Sequence, residues 1–341
     1  MFKPKYTISA KLLANIKRIA ALIAELNSRR LSKVVGMALE KEARELSTFA
    51  STRIEGNPLP LTEVKRILKN KPANLRDSER EVMNYNRALE LLHGLSQKGE
   101  IDCTLKLILE IHKIVTKGLV PKDSCGQIRR EPVFVNDPRT GKTIYWPPDD
   151  KDARPLLEEL VIFINHNRTA IDPLILAGLF HKQFVVIHPF MDGNGRTARL
   201  LTKVLLAAMG LNTFNLFSFE NYYNRNITGY FAAVGVSNNY YDIKNKIVFT
   251  GWLEYFTDGI VDELLRVSQE WPAAAGPGTI LRPQDHLILE RIKQEGYITD
   301  KDYRGLTKRA KATRNKDFNK LIVQGLIEKS GKGKATYYKL P

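Results

Sequence analysis

The sequence predicts a mainly α-helical protein with a small β-hairpin near its middle and a separate small domain at its C-terminus. Three observations support this fold class. Apolar residues recur at three- and four-residue steps through most of the chain, which is typical of amphipathic helices. Two short β-branched and aromatic runs fall between residues 133 and 146. A segment rich in proline, glycine and alanine at 267–282 indicates a linker, so we predict domain regions 1–98, 99–266 and 283–341 around it.

Composition limits the classes of protein to which the chain can belong. Its 341 residues are 43% hydrophobic and 26% charged, which is typical of a globular protein with room for two or three domains. No apolar run approaches the ~18 residues that a bilayer-spanning helix needs, so we expect no membrane partner. Cys103 and Cys125 lie far apart, and the N-terminus shows no signal-peptide pattern, so we expect a cytoplasmic, disulfide-free protein. The net charge of +16 favours polyanionic partners.

The N-terminal region is predicted to form helices at 9–26, 32–49, 61–68 and 78–95. The second of these extends towards Glu55 and Gly56, and two prolines at positions 58 and 60 end it. Glu55 therefore lies at a helix C-terminus, where the helix dipole disfavours a carboxylate. We expect a cation from elsewhere in the chain to compensate it.

A hairpin is predicted at 133–136 and 143–146, after a helix at 101–115. Inside it, Gly141-Lys142-Thr143 imitates the end of a phosphate-binding P-loop. The leading glycine of that motif is absent and Pro147 blocks a following helix, so we reject the P-loop interpretation.

The segment 188–199, His-Pro-Phe-Met-Asp-Gly-Asn-Gly-Arg-Thr-Ala-Arg, lies between two apolar helices predicted at 174–186 and 200–209. Glycines 193 and 195 let backbone N–H groups approach a ligand at the positive end of the following helix, which is a ready anion site. Arg196 and Arg199 are three residues apart on one helical face, and their planar guanidiniums suit phosphate oxygens. This pattern predicts a site for a nucleotide polyphosphate.

The same segment holds a base and a carboxylate. His188 has a side chain whose proton affinity suits general base catalysis near neutral pH, and Asp192 could hold a divalent cation. His181 lies seven residues before His188, so a transition-metal site is an alternative. Pro189 and the glycines interrupt the helix and argue against it, because the three side chains need not share a face.

The segment 188–199 resembles the signature of the Fic family at every defined position: His-Pro-Phe-x-Asp/Glu-Gly-Asn-Gly-Arg-x-x-Arg. The resemblance implies a Fic-type helical core that transfers AMP from ATP to a hydroxyl of a target protein. His188 would deprotonate that hydroxyl, and Asp192 would hold Mg²⁺. The remaining signature residues would bind the phosphates: Gly193, Asn194 and Gly195 as an anion hole, and Arg196 and Arg199 at the outer phosphates.

Two further segments resemble parts of Fic proteins. Ser51-x-x-x-Glu55-Gly56 resembles an inhibitory motif, which implies that Glu55 pairs with Arg199 and blocks the γ-phosphate position. The hairpin at 133–146 resembles the flap that aligns the target by pairing with it as an extra strand. By the same resemblance the nucleotide pocket would include Val133, Phe134, Val135, Asn136, Tyr230 and Asn238. Tyr230 also fits a buried helical stripe with Val234, so both interpretations stay open.

The tail at 283–341 resembles a winged helix-turn-helix domain: three helices at 286–292, after Thr299, and at 312–324, followed by a hairpin. Residues 280–341 hold 15 Lys and Arg against 7 Asp and Glu. Basic residues crowd the start of the third helix, where a recognition helix meets DNA: Lys308, Arg309, Lys311, Arg314 and Lys316. Two roles for this domain stay open. It either contacts DNA or RNA, or it is a protein-interaction module whose charge is solvated.

These patterns predict a protein adenylyltransferase that uses ATP and Mg²⁺ and is autoinhibited by Glu55. The alternative is a nucleotide-sensing DNA-binding regulator that uses the winged helix. A kinase or phosphocholine-type transfer is disfavoured because the signature departs at no defined position. We expect a target protein docked on residues 133–146, with self-modification and a homo-oligomer left open.

Overall fold

The computed structural model describes residues 2–28, 33–96, 102–137, 140–207, 218–270, 282–323, 326–331 and 333–340. The chain divides into two compact units, 1–27 with 43–270 and 28–42 with 271–341. Both are mainly helical, which confirms the predicted fold class. Within the described ranges, no helix combines the length and apolarity that a bilayer crossing requires.

Twelve helices run through the described part of the larger unit, the second of them starting in the smaller one. They are α1 (Ala10–Ser28), α2 (Lys33–Ile54), α3 (Leu61–Asn70), α4 (Asp77–Ser96), α5 (Leu105–Thr116), α6 (Asp150–His166), α7 (Pro173–Ile187), α8 (Asn194–Ala207), α9 (Phe219–Arg225), α10 (Ile227–Val234), α11 (Tyr240–Ile243) and α12 (Thr250–Glu270).

Helix α7 is the central element of the larger unit. Almost all of its residues are buried, and it packs against α6, α8 and α12. Its start is fixed by Asp172, whose side chain accepts a hydrogen bond from Leu174 N at 2.8 Å, and by Pro173 at the first helical position. A Cβ on Gly178 would lie 2.6 Å from Leu253, so α12 approaches α7 closely at this glycine. As a result, α7 is a buried helix with His188 at its C-terminal end.

The predicted hairpin is present. Strands β1 (Val135–Asn136) and β2 (Thr143–Trp146) pair antiparallel, and a strand that the sequence did not predict, β3 (Asn238–Asn239), pairs parallel with β2. Tyr145 anchors the hairpin to the core, because it is buried and its hydroxyl donates to Val186 O at 2.7 Å. Residues 138 and 139 of the predicted loop lie outside the described residues.

Several boundaries differ from the sequence prediction. The helix predicted at 101–115 begins at Leu105, because the Thr104 side chain caps it by accepting from Leu107 N at 3.1 Å. Helix α12 continues to Glu270, four residues into the predicted linker 267–282, and 271–281 lie outside the described residues. Helix α8 begins at Asn194, six residues before its predicted start.

The smaller unit contains the predicted order of elements: α13 (Pro283–Glu295), α14 (Asp300–Leu306), α15 (Lys311–Val323), β4 (Glu328–Ser330) and β5 (Tyr337–Lys339). Strands β4 and β5 pair antiparallel, and Ile298 bridges to Tyr338. Thr299 and Asp302 form a capping box at the start of α14, since Thr299 Oγ1 accepts from Asp302 N at 3.2 Å and Asp302 Oδ2 accepts from Thr299 N at 2.9 Å. The winged-helix assignment of this unit stays a prediction.

Two of the five basic residues predicted to face nucleic acid are used inside the smaller unit. Arg309 Nη1 donates to Asp317 Oδ1 at 2.7 Å, and Arg314 Nε donates to Asp300 Oδ1 at 2.8 Å. Arg314 is buried. Arg314 is therefore withdrawn from the predicted surface, whereas Arg309 pairs with Asp317 and keeps 30% of its side chain exposed. Lys308, Lys311 and Lys316 are exposed.

Candidate active site

The N-terminus of α8 forms the predicted anion loop at Gly193, Asn194 and Gly195. Gly193 has φ +78°, a conformation that favours glycine, and a Cβ there would lie 2.8 Å from Thr116 Cγ2. Thr197 N donates to Gly193 O at 3.0 Å and closes the first turn. The preceding N–H groups stay at the positive end of the helix dipole, which suits an anion.

The side chain of Asn194 clamps this turn. It is buried, its Oδ1 accepts from Phe190 N at 3.0 Å, and its Nδ2 donates to Phe190 O at 2.8 Å. The amide group predicted to contact the nucleotide is therefore engaged within the loop. What Asn194 can offer an anion is its backbone N–H.

Arg199 is fully buried and held by the end of α2. Its Nε donates to Ser51 Oγ at 2.7 Å, and its Nη2 donates to Ser51 O at 3.0 Å and to Glu55 Oε1 at 2.6 Å. Burial by itself would lower the pKa of Arg199, but Glu55, Tyr230 and Tyr85 together offset it and the pKa is raised. The guanidinium is therefore charged and paired with a carboxylate.

Glu55 occupies space beside the anion loop. Its Oε1 lies so near Gly195 that a Cβ on that glycine would collide with it. Only 25% of the Glu55 side chain is exposed. A carboxylate of the chain thus stands where the loop and Arg199 could hold an anion of a ligand.

Arg196, the other signature arginine, is also paired with carboxylates. Its Nη1 donates to Glu81 Oε1 at 2.6 Å and its Nη2 donates to Asp192 Oδ2 at 2.8 Å. Asn57 Nδ2 donates to the second oxygen of Glu81 at 2.7 Å. The Nε of Arg196 is buried without a partner among the described residues, so one hydrogen-bond donor in the first turn of α8 lacks an acceptor. Glu81, on α4, is a site residue that the sequence analysis did not identify.

Asp192 presents a carboxylate suited to Mg²⁺. Its side chain is 54% exposed. Partial burial would raise the pKa of Asp192, but Arg196 and the backbone N–H of Gly193 together offset this effect, so the pKa is lowered and the group is ionised at neutral pH. Within the described residues, no three His, Cys, Asp or Glu side chains cluster as a metal site. A single hard oxygen donor fits Mg²⁺ that arrives with nucleotide phosphates, because this ion usually keeps waters and takes few protein ligands.

His112, on α5, supports the backbone of Asp192. Its ring stacks on Phe190 with 3.6 Å between centroids, and its Nδ1 accepts from Gly126 N at 3.1 Å. The Nε2–H therefore donates to Asp192 O at 2.9 Å. Burial lowers the pKa of His112 to about 4, so the ring stays neutral. This role of His112 could not be predicted from sequence, since nothing in the spacing of α5 distinguishes it from a packing residue.

His188 follows the last residue of α7 in the left-handed conformation, with φ 50° and ψ 59°. Its Nδ1 lies 3.2 Å from Val185 O. A carbonyl can only accept, so Nδ1 carries the proton and Nε2 has the lone pair. Burial lowers the pKa of His188, and Arg129 lowers it further. The ring is therefore neutral near pH 7, as a general base must be.

His181 is not brought to the site. It is buried, its Nδ1 lies 2.9 Å from Thr202 Oγ1, and its Nε2 lies 3.0 Å from Tyr230 OH. Both ring nitrogens are engaged, so His181 does not join His188 and Asp192 as a metal ligand.

Tyr230 lies in the core, which corrects its predicted place at the adenine. It is 1% exposed, its ring stacks on Tyr223 with 4.5 Å between centroids, and its hydroxyl faces His181 and Arg199. Tyr230 therefore supports Arg199 from behind. Tyr230 is thus buried in the helical stripe that it forms with Val234, and it is not available to contact the adenine.

The other predicted pocket residues lie on or beside the hairpin. Asn238 is exposed on β3, opposite Tyr145 of β2. Phe134 is 56% exposed, and Asn136 Oδ1 accepts from Thr143 Oγ1 at 2.9 Å. Val133 is half-buried, and Val135 packs towards Tyr145. The structure gives Phe134 and Asn238 side chains that a ligand can reach.

Comparison with known proteins gives three consistent findings. Residues 102–206 match the model of the Fic/DOC family. The chain is 31% identical over 221 residues to the protein adenylyltransferase Fic of Drosophila melanogaster, covering 59% of this chain and 43% of the relative. The corresponding protein of Drosophila virilis is 32% identical over 222 residues, with 59% and 44% covered. The chain thus spans less than half the length of these curated relatives.

Solved structures show the same fold. A Fic family protein from Desulfovibrio desulfuricans G20 matches with a TM-score of 0.66 at 20% identity, covering 100% of this chain and 98% of that one. Residues 134–508 of Fic-1 from C. elegans match with a TM-score of 0.62 at 24% identity, covering 77% and 74%.

Proposed function

We propose that this chain, whose residues 102–206 match the model of the Fic/DOC family, is a protein adenylyltransferase. It would transfer AMP from ATP to a Ser, Thr or Tyr hydroxyl of a target protein. The observation that carries the proposal is the meeting of a neutral base, His188, with an anion loop and two buried arginines at the junction of α7 and α8. These are the groups that a transfer from a nucleotide polyphosphate requires.

The chain's own residues supply binding, orientation and a proton acceptor. Nε2 of His188 takes the proton of the target hydroxyl, whose oxygen forms a bond to the α-phosphorus of ATP. The bond from that phosphorus to the oxygen of the β-phosphate breaks, and pyrophosphate leaves. The loop N–H groups, Arg196 and Arg199 hold the phosphates in line. Mg²⁺, held by Asp192 together with the phosphates, would neutralise their charge.

The hairpin supports target docking. Strand β1 lies at an edge of the three-stranded sheet order β1-β2-β3, so an extended segment can pair with it. Phe134 and Trp146 are 56% and 40% exposed and offer apolar contacts for that segment. A segment of a second copy would be modified in the same way, which is the route to self-modification.

The described conformation is an inhibited one under this proposal. Arg199 is paired with Glu55 and Arg196 with Glu81, so both phosphate-binding arginines have carboxylate partners. ATP would have to displace Glu55 to place its γ-phosphate on Arg199.

Intact-mass measurement tests the reaction class. We expect the Glu55→Gly variant, incubated with ATP and Mg²⁺, to gain the mass of one or more AMP groups on itself or on an added target. A phosphate gain would indicate a kinase. ATP binding without any mass gain would instead support the nucleotide-sensing regulator.

We also propose that the smaller unit is a winged helix whose exposed lysines contact nucleic acid. Two of its acids, Asp285 and Asp317, are buried and bonded to Arg282. Lys308, Lys311 and Lys316 are exposed around the start of α15. This arrangement leaves a basic face of the kind that contacts phosphates.

Duplex binding by the full chain should weaken steeply with salt, with a slope of about −0.9 per phosphate neutralised. Changing Lys308, Lys311 and Lys316 to Gln should make that slope shallower by about 0.9 for each phosphate that is no longer neutralised. Fluorescence anisotropy across a salt series measures both. Substituting the exposed Lys69, Lys71 and Lys122 instead is the matched control. Equal slopes for the two triple variants would contradict the assigned surface.

A further inference from the structure

Arg129 is a buried arginine whose bonds all go to backbone carbonyls close to the catalytic histidine. Its Nε donates to His188 O at 2.9 Å, its Nη1 donates to Glu131 O at 3.2 Å, and its Nη2 donates to Pro148 O. Its backbone N donates to Pro189 O at 3.0 Å. Among the residues that the structure describes, no carboxylate oxygen forms an ion pair with it. Burying a charge without a counter-ion is costly, and the three guanidinium bonds to carbonyl oxygens offset part of that cost.

The backbone of His188 needs support. A residue other than glycine costs about 1–2 kcal/mol in the left-handed region. The residue that follows His188 in the chain is Pro189. Arg129 binds the carbonyls of both residues, so it fixes the peptide that carries this strain.

The orientation of the peptide decides the chemistry of the ring. In the left-handed conformation Nδ1 of His188 lies 3.2 Å from Val185 O. That bond places the ring proton on Nδ1 and leaves the lone pair on Nε2. If the backbone relaxed, this hydrogen bond would lose its geometry and the proton would be free to occupy either nitrogen.

We infer that Arg129 is a positioning residue that holds the left-handed backbone of His188 and thereby keeps Nε2 as the base atom. Because it also binds Pro148 O at the exit of the hairpin, it joins the base to the segment that leads from β2 into α6. The catalytic part of this inference rests on the proposed function.

Electrostatics adds a second effect. The charged groups that face His188 are Arg129, Glu55 from α2 and Asp192 from the anion loop, and Asp149 and Asp150 face Arg129 from the start of α6. Burial lowers the pKa of His188 most, the hydrogen bond to Val185 O raises it, Arg129 lowers it, and the two carboxylates raise it. Removing Arg129 takes away one effect that lowers this pKa, and loosening the Val185 bond takes away one that raises it, so the tautomer and the rate decide the role of Arg129 and the pKa does not.

The test compares Arg129→Met and Arg129→Lys with Arg130→Met, a matched change at the adjacent, exposed arginine. Nitrogen-15 spectra of labelled histidine, with His188→Ala to identify the signal, report the tautomer. We expect a protonated Nδ1 in wild type and Arg130→Met, and a mixture of tautomers in Arg129→Met.

In the Glu55→Gly background, Arg129→Met should lose about 100-fold in kcat with ATP affinity unchanged, because misplacing a reacting group by ~1 Å can cost about that much. Lysine should give an intermediate rate, since its ammonium lacks the planar fork.

An Arg129→Met variant that keeps the Nδ1–H tautomer and the parent rate would overturn the inference. If that variant does not fold, a parent-like tautomer and rate in Arg129→Lys would overturn it equally. The tautomer does not depend on turnover. An inactive Glu55→Gly parent would therefore contradict the proposed function, while the nitrogen-15 comparison would still decide the role of Arg129.

Discussion

His188→Ala, made in the Glu55→Gly background, should lower AMP transfer by about 10²–10⁴-fold, the usual contribution of a positioned general base. The loss should appear in kcat, because the anion loop and both arginines that would bind ATP stay in place. The acid limb of the parent's pH–rate profile should lie below the ordinary histidine pKa of ~6.5. Burial lowers the pKa of His188, so protonation removes the base only at a lower pH.

Single-turnover assays with ATP labelled at the α-phosphate measure this effect. His166→Ala, at an exposed histidine on α6, is the matched control and should keep the parent rate. Asp192→Ala should differ in kind, because excess Mg²⁺ should recover part of its activity and none of that of His188→Ala. A His188→Ala rate equal to that of the parent at neutral pH would show that another group takes the proton.

Apart from the pair of Glu55 with Arg199, which the family resemblance implied, the parts of the fold and the site that could be predicted from sequence are formed by neighbouring residues. The segment 188–199, the hairpin and the capping box of Thr299 with Asp302 each depend on contacts within a few positions. A short motif fixes such contacts because the backbone geometry repeats wherever the motif occurs.

The supports of the site are different, since each binds a partner far along the chain. Glu81 lies 115 positions from Arg196, His112 lies 80 from Asp192, and Arg129 lies 59 from His188. Their positions in sequence look like ordinary packing or surface residues. Which carbonyl or guanidinium they meet is decided by how α4, α5, α7 and α8 pack together.

Tyr230 shows how burial can outweigh a motif position. Its place in the sequence suited both an adenine contact and a stripe with Val234, and the structure buries both residues. Its hydroxyl bonds to His181 and Arg199, and its ring packs in the aromatic core around α12.

Glu55→Gly should raise AMP transfer, including self-modification, at least tenfold, which corresponds to about 1.4 kcal/mol in the barrier. In the described conformation Glu55 Oε1 lies 2.6 Å from Arg199 Nη2 and against Gly195. While that carboxylate is in place, Arg199 cannot hold the γ-phosphate, and ATP would bind with its α-phosphate out of line. Removing the side chain frees both the arginine and the loop.

Stability should change in a way that separates this mechanism from a general loosening of the fold. Breaking a buried ion pair from one side usually costs roughly 3–5 kcal/mol, because the remaining charge is left unpaired. The nucleotide-free Glu55→Gly protein should therefore melt at a lower temperature than wild type. ATP supplies a phosphate partner for Arg199, so the thermal shift on adding ATP should be larger in the variant.

Labelled-ATP assays on wild type, Glu55→Gly, Glu42→Gly and Glu55→Gly with Arg199→Ala measure the effect. Glu42 is exposed on the same helix, so Glu42→Gly tests the loss of an acid and the addition of a glycine without touching the ion pair. It should keep the low wild-type rate. The double variant should be inactive, because it has neither the inhibitory carboxylate nor the guanidinium that would hold the γ-phosphate. Equal rates for wild type and Glu55→Gly at saturating ATP would show that the pair of Glu55 with Arg199 stabilises the fold without restraining transfer.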